Sequence, residues 1–188
     1  MNKLILIPDS FKGTLSSTQV CKIVSAEISK QFPNCEIVSI PVADGGEGSV
    51  DCFLSALGGQ KSTATVSGPH FEKMESYFGM LEDSTAVIEM ASCAGLPLVE
   101  DHKDPLGTTT YVGELILAAA KQGARKIIVG LGGSCTTDGG CGAAAACGVK
   151  FYDIAGKSFV PTGGTLKQIE HIDVSKLNPT IKETEIIA

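Results

Sequence analysis

KIIVGLGGSCTTDGGCG, residues 126–142, opens as a strand and ends as the beginning of a helix. Ile127, Ile128 and Val129 form a β-branched run of the kind that fills a central parallel strand, and residues 143–146, all alanine, continue as helix formers. Between them the glycines leave backbone N–H groups at a helix N-terminus, where the missing Cβ lets a phosphate or carboxylate come close. Ser134, Thr136 and Thr137 add hydroxyl donors. The stretch predicts a strand-loop-helix unit carrying an anion-binding loop. Asp138 has two readings: it holds a magnesium ion or a substrate hydroxyl, or it caps the following helix. No Walker A loop is present, because Gly156-Lys157-Ser158 has Phe151 where the first glycine belongs. Gly140, Gly142 and Ala145 satisfy a relaxed G-x-G-x-x-A but lie too far beyond the strand end for a dinucleotide fingerprint.

Working outward, the same unit recurs twice nearer the N-terminus. Residues 3–7 predict a short apolar strand ended by Pro8, then Asp9-Ser10-Phe11-Lys12-Gly13, then a helix over 16–32. Ser16 or Ser17 caps that helix, Val20, Ile23, Val24 and Ile28 share its buried face, and Pro33-Asn34 stops it. Residues 36–42 predict a second strand, which delivers Ala43-Asp44-Gly45-Gly46-Glu47-Gly48 before a helix over 49–57. Three strand ends therefore present an aspartate among small residues, at positions 9, 44 and 138. Ligands of open α/β sheets bind at the carboxyl ends of strands. Asp44 and Glu47 suit a divalent cation or a hydroxyl, or else serve as a cap and a first-turn acid. Asp9 likewise either belongs to a site or turns the chain, with Lys12 solvated.

After Gly58-Gly59 the pattern changes: residues 61–66, 72–79 and 85–90 alternate as an antiparallel or mixed patch would. A helix over 108–122 with Leu115, Ile116 and Ala119 on one face stops at Gly123. The tail offers a strand at 149–152, a turn at 161–164 and an apolar ending at Ile186-Ile187-Ala188. The expected class is α/β, a Rossmann-like parallel-sheet N-terminal part (residues 1–60) followed by part of a second mixed α/β domain (residues 61–188). The apolar ending predicts a fragment, since domain termini are ordinarily polar and frayed.

Composition narrows the function. The 188 residues suffice for a real core. A net charge of −6 with scattered Lys and Arg gives no basic stripe for nucleic acid. No apolar run reaches the roughly 18 residues of a membrane span, and residues 4–7 are too short for the core of a signal peptide; the expectation is a cytoplasmic chain. The seven cysteines form no C-x-x-C pair and read as reduced structural thiols, with Cys135 reactive only if a helix terminus lowers its pKa. His70, His102 and His171 are dispersed and read as surface residues, not metal ligands.

Four segments together carry a resemblance: Pro8-Asp9-Ser10-Phe11-Lys12-Gly13, Pro41-Val42-Ala43-Asp44-Gly45-Gly46-Glu47-Gly48, Val87-Ile88-Glu89-Met90-Ala91, and Gly132-Gly133-Ser134 with Asp138-Gly139-Gly140. In this order, across essentially the whole chain, they resemble the N-terminal half of the bacterial type I glycerate kinases. The resemblance implies a transferase for ATP- and magnesium-dependent phosphorylation of D-glycerate to 2-phosphoglycerate, with its site in a cleft between two α/β domains. Such a site must position the acceptor hydroxyl, hold magnesium and neutralise the transferred group. On that basis Asp9 and Asp44 are expected at the hydroxyl or the metal, and Lys12 at a phosphate or the substrate carboxylate. Ser10, Gly45, Gly46, Glu47, Gly132, Gly133, Ser134, Asp138, Gly139 and Gly140 are expected to bind substrate or nucleotide. The general base and the metal ligands stay open. Family members are longer, so the chain alone is expected to lack turnover, with a non-catalytic small-anion or nucleotide-binding fragment as the alternative. Tyr111-Val112-Gly113 is one residue shorter than the family pattern, which shifts the start of its helix; Pro69-His70-Phe71 replaces a Pro-Leu-Gly turn, and Thr137 an asparagine.

Overall fold

The computed structural model describes residues 2–101 and 104–188, and His102 lies outside the described residues. In chain order the elements are β1 (Lys3–Leu6), α1 (Ser17–Gln31), β2 (Glu36–Ser39), α2 (Ser49–Leu57), β3 (Gln60–Ser67), β4 (Lys73–Met80), β5 (Thr85–Glu89), α3 (Ala91–Ala94), α4 (Val112–Lys121), β6 (Lys126–Gly130), α5 (Cys141–Ala146), β7 (Lys150–Tyr152), β8 (Ser158–Phe159), β9 (His171–Asp173), α6 (Pro179–Lys182) and β10 (Glu185–Ile187). Short 3-10 turns cover Leu96–Val99 and Gly163–Gln168, the second replacing the simple turn expected at 161–164.

β1 and β2 pair in parallel as a two-stranded sheet. α1 begins at a capping box in which the Ser16 hydroxyl accepts from Gln19 N–H while the Gln19 side chain accepts from Ser16 N–H. Of the four residues expected on its buried face only Val20 is buried, joined by Cys21, and Ile23 is 51% exposed. The helix forms as its spacing predicts, but the Ile23 part of its face stays largely exposed.

The larger sheet has the order β10-β6-β5-β4-β3. β3, β4 and β5 are antiparallel neighbours, whereas β5, β6 and β10 run parallel, so the sheet is mixed. Period-two alternation on β5 separates two cores. Ala86 and Ile88 face a cluster with Phe78, Leu115, Ala119 and Ile127, while Val87 faces Val50 and Leu81 beside Phe53 and Leu54 of α2. Each large apolar side chain so enclosed contributes about 1.5–3 kcal/mol. By the same alternation Thr85 and Glu89 lie on the α2 face, and every residue of β5 is buried. α2 comes close to β4 because Gly79 has no side chain: a β-carbon there would stand 3.2 Å from Val50.

The apolar ending is used, with Ile186 opposite Ile127 on β6. β7, β8 and β9 form a separate antiparallel sheet. α4 starts at Val112, later than Thr108, because the hydroxyls of residues 108–110 are engaged elsewhere. No helix among the described residues is long and apolar enough to cross a membrane.

Candidate active site

The carboxyl ends of β2 and β6 carry their glycine loops into direct backbone contact. A β-carbon at Gly130 would stand 2.3 Å from the Gly45 carbonyl oxygen, and one at Gly132 would stand 2.8 Å from the Gly46 nitrogen. Gly132 N–H donates to the Gly45 carbonyl at 3.0 Å. Only glycine fits at this contact. The second loop is thus locked to the third, which brings Gly45 and Gly46 beside Gly132.

The first loop is tied in by a serine. Ser17, buried, donates its hydroxyl to the Pro8 carbonyl at 2.6 Å and accepts from Val42 N–H at 3.0 Å. Beyond Pro8 a tight turn, closed by the backbone pair Phe11 and Leu15, holds Lys12 at its tip. Lys12 Nζ reaches Asp44 Oδ2 at 3.3 Å, and both side chains are solvated, at 77% and 53% exposure. Asp44 Oδ1 accepts from Gly46 N–H at 3.1 Å. That backbone donor first, and the Lys12 ammonium second, hold the Asp44 carboxyl below its ordinary range.

The first and second loops border a cavity of about 590 Å³. Ser10, Lys12, Glu47, Asp51 and Tyr77 are among the residues lining it. Asp9 and Asp44 both stand outside the lining and are exposed, and Asp9 accepts from Ser10 N–H at 2.7 Å. Gly45 lines a second, apolar groove of about 340 Å³ with Phe53, Val87 and Ile128.

The residues of the third loop expected to bind anions divide. Gly133, Gly139 and Gly140 are exposed, whereas Ser134 bonds its hydroxyl to Thr136 at 3.0 Å. Asp138 is 2% exposed, and five donors converge on it. Thr109 hydroxyl, Thr110 N–H and Gly142 N–H donate to Oδ2 at 2.8, 2.9 and 2.9 Å. Thr110 hydroxyl and Gly140 N–H donate to Oδ1, each at 3.1 Å. Burial alone would raise its pKa, but the donors outweigh it and the carboxyl is held below its ordinary range. One of these donors, Gly142 N–H, lies in the first turn of α5, whose cap position is Gly140, so Asp138 ties the threonines before α4 to the start of α5.

All seven cysteines are free, and burial pushes the Cys135 thiol above its usual value, the opposite of what a reactive thiolate needs. His70 and His171 are exposed. Sequence reasoning overlooked Ser17, Tyr77, Thr109 and Glu89. For Glu89 a signal existed: an acid closing the buried run TAVIE of β5. For Thr109 the signal was three successive hydroxyls after Gly107, residues that bond neighbouring backbone in preference to starting a helix.

Taken together, the parallel strands, the glycine loops at their carboxyl ends and the Lys12–Asp44 pair beside a cavity describe an α/β protein with a candidate site at its strand ends. Comparison with known proteins narrows the class. The glycerate kinase family profile matches residues 4–188. The chain is 43% identical over 187 residues to glycerate 2-kinase of Escherichia coli, covering 98% of this chain and 49% of that protein. It is 43% identical to a glycerate kinase of Bacillus cereus, covering 99% and 50%. The crystal structure assigned as glycerate kinase 2 from Salmonella typhimurium LT2 superposes with a TM-score of 0.82 at 34% identity, over 98% of this chain and 50% of that one. The chain belongs to the glycerate kinase family, a family of phosphotransferases, and spans about half the length of the curated relatives it matches.

Proposed function

We propose that this chain serves the ATP-dependent phosphorylation of D-glycerate to 2-phosphoglycerate in the cytoplasm, with Mg²⁺ as the accompanying cation. The observation that carries the reading is the Lys12–Asp44 pair beside the cavity, in a chain whose relatives are named glycerate kinases. Lys12, a compact cation on a flexible stem at the tip of its turn, suits the substrate carboxylate or a phosphate. Asp44, with its pKa depressed, is ionised at neutral pH and a weak proton acceptor. It therefore orients the acceptor hydroxyl or helps hold the cation. Among the described residues no group of three or more His, Cys, Asp or Glu is arranged to hold a metal. That fits Mg²⁺, which is ordinarily held by one or two carboxylates together with phosphate oxygens and water. Asp44, with Asp9 or Glu47, would hold it here, and when bound it would neutralise charge on the transferred phosphoryl group. Gly133 and Gly139 offer backbone donors to nucleotide phosphates, while Gly132 N–H and Gly140 N–H, committed to Gly45 and Asp138, hold that loop in shape.

A second reading, a non-catalytic small-anion or nucleotide-binding chain, is favoured by the solvent exposure of Lys12 and Asp44. At high dielectric their charges act weakly. The two readings separate when the chain is incubated with ATP, Mg²⁺ and D-glycerate and followed by ³¹P NMR alongside D-glycerate binding. Appearance of 2-phosphoglycerate supports the enzyme, and saturable binding without product supports the second reading. A folded chain that binds neither D-glycerate nor ATP and forms no product overturns both.

A further inference from the structure

The wall of the cavity rests on a carboxylate that takes no part in the lining. Glu89, 1% exposed, closes β5 on the face turned to α2. Its Oε1 accepts from the Tyr77 hydroxyl, and its Oε2 accepts from Val50 N–H at 3.4 Å. Tyr77 lines the cavity from β4. Val50 lies in the first turn of α2, two residues beyond Gly48 and two before Cys52, and Gly48 and Cys52 both line the cavity. The far side of the wall is braced as well: Lys61 Nζ sits 4.3 Å from the centre of the Tyr77 ring and 2.6 Å from Asp51 Oδ1. Tyr77 is thus held between a solvated lysine and a buried acid.

A carboxyl is a costly occupant for such a position. The neighbours Val50, Val87, Phe53 and Leu54 would pack an apolar side chain well, and a well-packed apolar replacement of a buried polar group is often neutral or stabilising. What an apolar residue cannot do is accept from two donors on two different elements. Burial first, and the Glu89 acceptor second, push the Tyr77 hydroxyl well above its ordinary pKa, so its proton stays committed to Glu89.

We propose that Glu89 is a positioning residue of this site: through Tyr77 and Val50 it fixes the cavity wall formed by β4 and the first turn of α2 against a small hydroxy-acid ligand. The inference rests on the reading of the cavity as the D-glycerate site. Four chains test it, the wild type, Glu89→Gln, Tyr77→Phe and the double variant. For each, the melting temperature, tyrosine emission and D-glycerate affinity by calorimetry are measured. The chain has no tryptophan and three tyrosines, so emission reports the phenols directly. Release of Tyr77 from its carboxylate partner removes a quencher, and emission rises in Glu89→Gln.

Each single variant is expected to keep its fold and weaken D-glycerate about tenfold, and the double variant to lose no more than the larger single, as a coupled pair does. Tyr77→Phe removes one oxygen only and decides the matter should Glu89→Gln fail to fold. Wild-type affinity in a folded Tyr77→Phe, or a double loss equal to the product of the two single losses, overturns the positioning role while leaving the D-glycerate site standing. A folded wild type that does not bind D-glycerate overturns the functional reading beneath it, whatever the emission change.

Discussion

Asp138→Ala offers a direct test of how the third loop is built. The substitution removes the acceptor for five donors, two hydroxyls and three backbone N–H groups, at a position 2% exposed. A hydrogen bond to a charged group is worth about 1.5–3 kcal/mol, but losses around one centre are not additive, and breaking a buried charged centre costs about 3–5 kcal/mol. For a chain of this size that corresponds to a fall of about 6–20 °C in melting temperature. Asp138→Asn retains one carbonyl oxygen, suited to the three donors on Oδ2, and turns an NH₂ toward Gly140 N–H; its loss should be smaller. Because the Asp138 pKa is lower folded than unfolded, its contribution is complete above the unfolded value of about 3.9 and fades as pH falls through the lower folded value. Urea unfolding of the three chains at pH 7 and pH 3 measures both effects, and the gap between wild type and alanine variant should narrow at pH 3. An alanine variant as stable as wild type at pH 7, yet unable to bind ligand, would refute the anchoring argument and return Asp138 to the binding residues.

Two further outcomes follow from the packing. Gly132→Ala sets a β-carbon 2.8 Å from the Gly46 nitrogen, and the forced separation of the loops should cost about 1–3 kcal/mol in denaturation together with D-glycerate affinity; an unchanged variant would mean that the contact is loose. Thiol labelling of the native chain at pH 8 should spare Cys93, pushed up to about 12 by burial, as well as Cys135 and Cys147. Rapid modification of Cys135 identified by mass spectrometry would contradict the buried assignment.

Much of the framework was legible because local chemistry and tertiary packing agree. The β-branched run at 127–129 became β6, the glycines before Ser49 and after Leu57 bounded α2, and the alternation beyond Gly59 became antiparallel strands. Other parts depend on partners that sequence spacing does not name. Ile23 has the helical period of a buried residue but is 51% exposed, and the threonines before Val112 extend the helix pattern while their hydroxyls serve Asp138 and Cys135. In the site, Lys12 and Asp44 were legible as candidates, but their pairing across 32 positions of sequence was not. Glu89 was visible as an acid ending an apolar strand, but its direction was not, because such an acid looks the same whether it turns toward solvent or under a helix.

The central claim, that Lys12 and Asp44 serve a D-glycerate site, is tested most directly by titrating D-glycerate calorimetrically into the wild-type chain and into Asp44→Asn. Asp44 is solvent-exposed, so the variant should melt with the wild type. The account predicts saturable one-to-one binding by the wild type and an affinity lower by about tenfold or more in the variant, as expected when one charged contact to the ligand is lost. Equal affinities in two equally folded chains would contradict it.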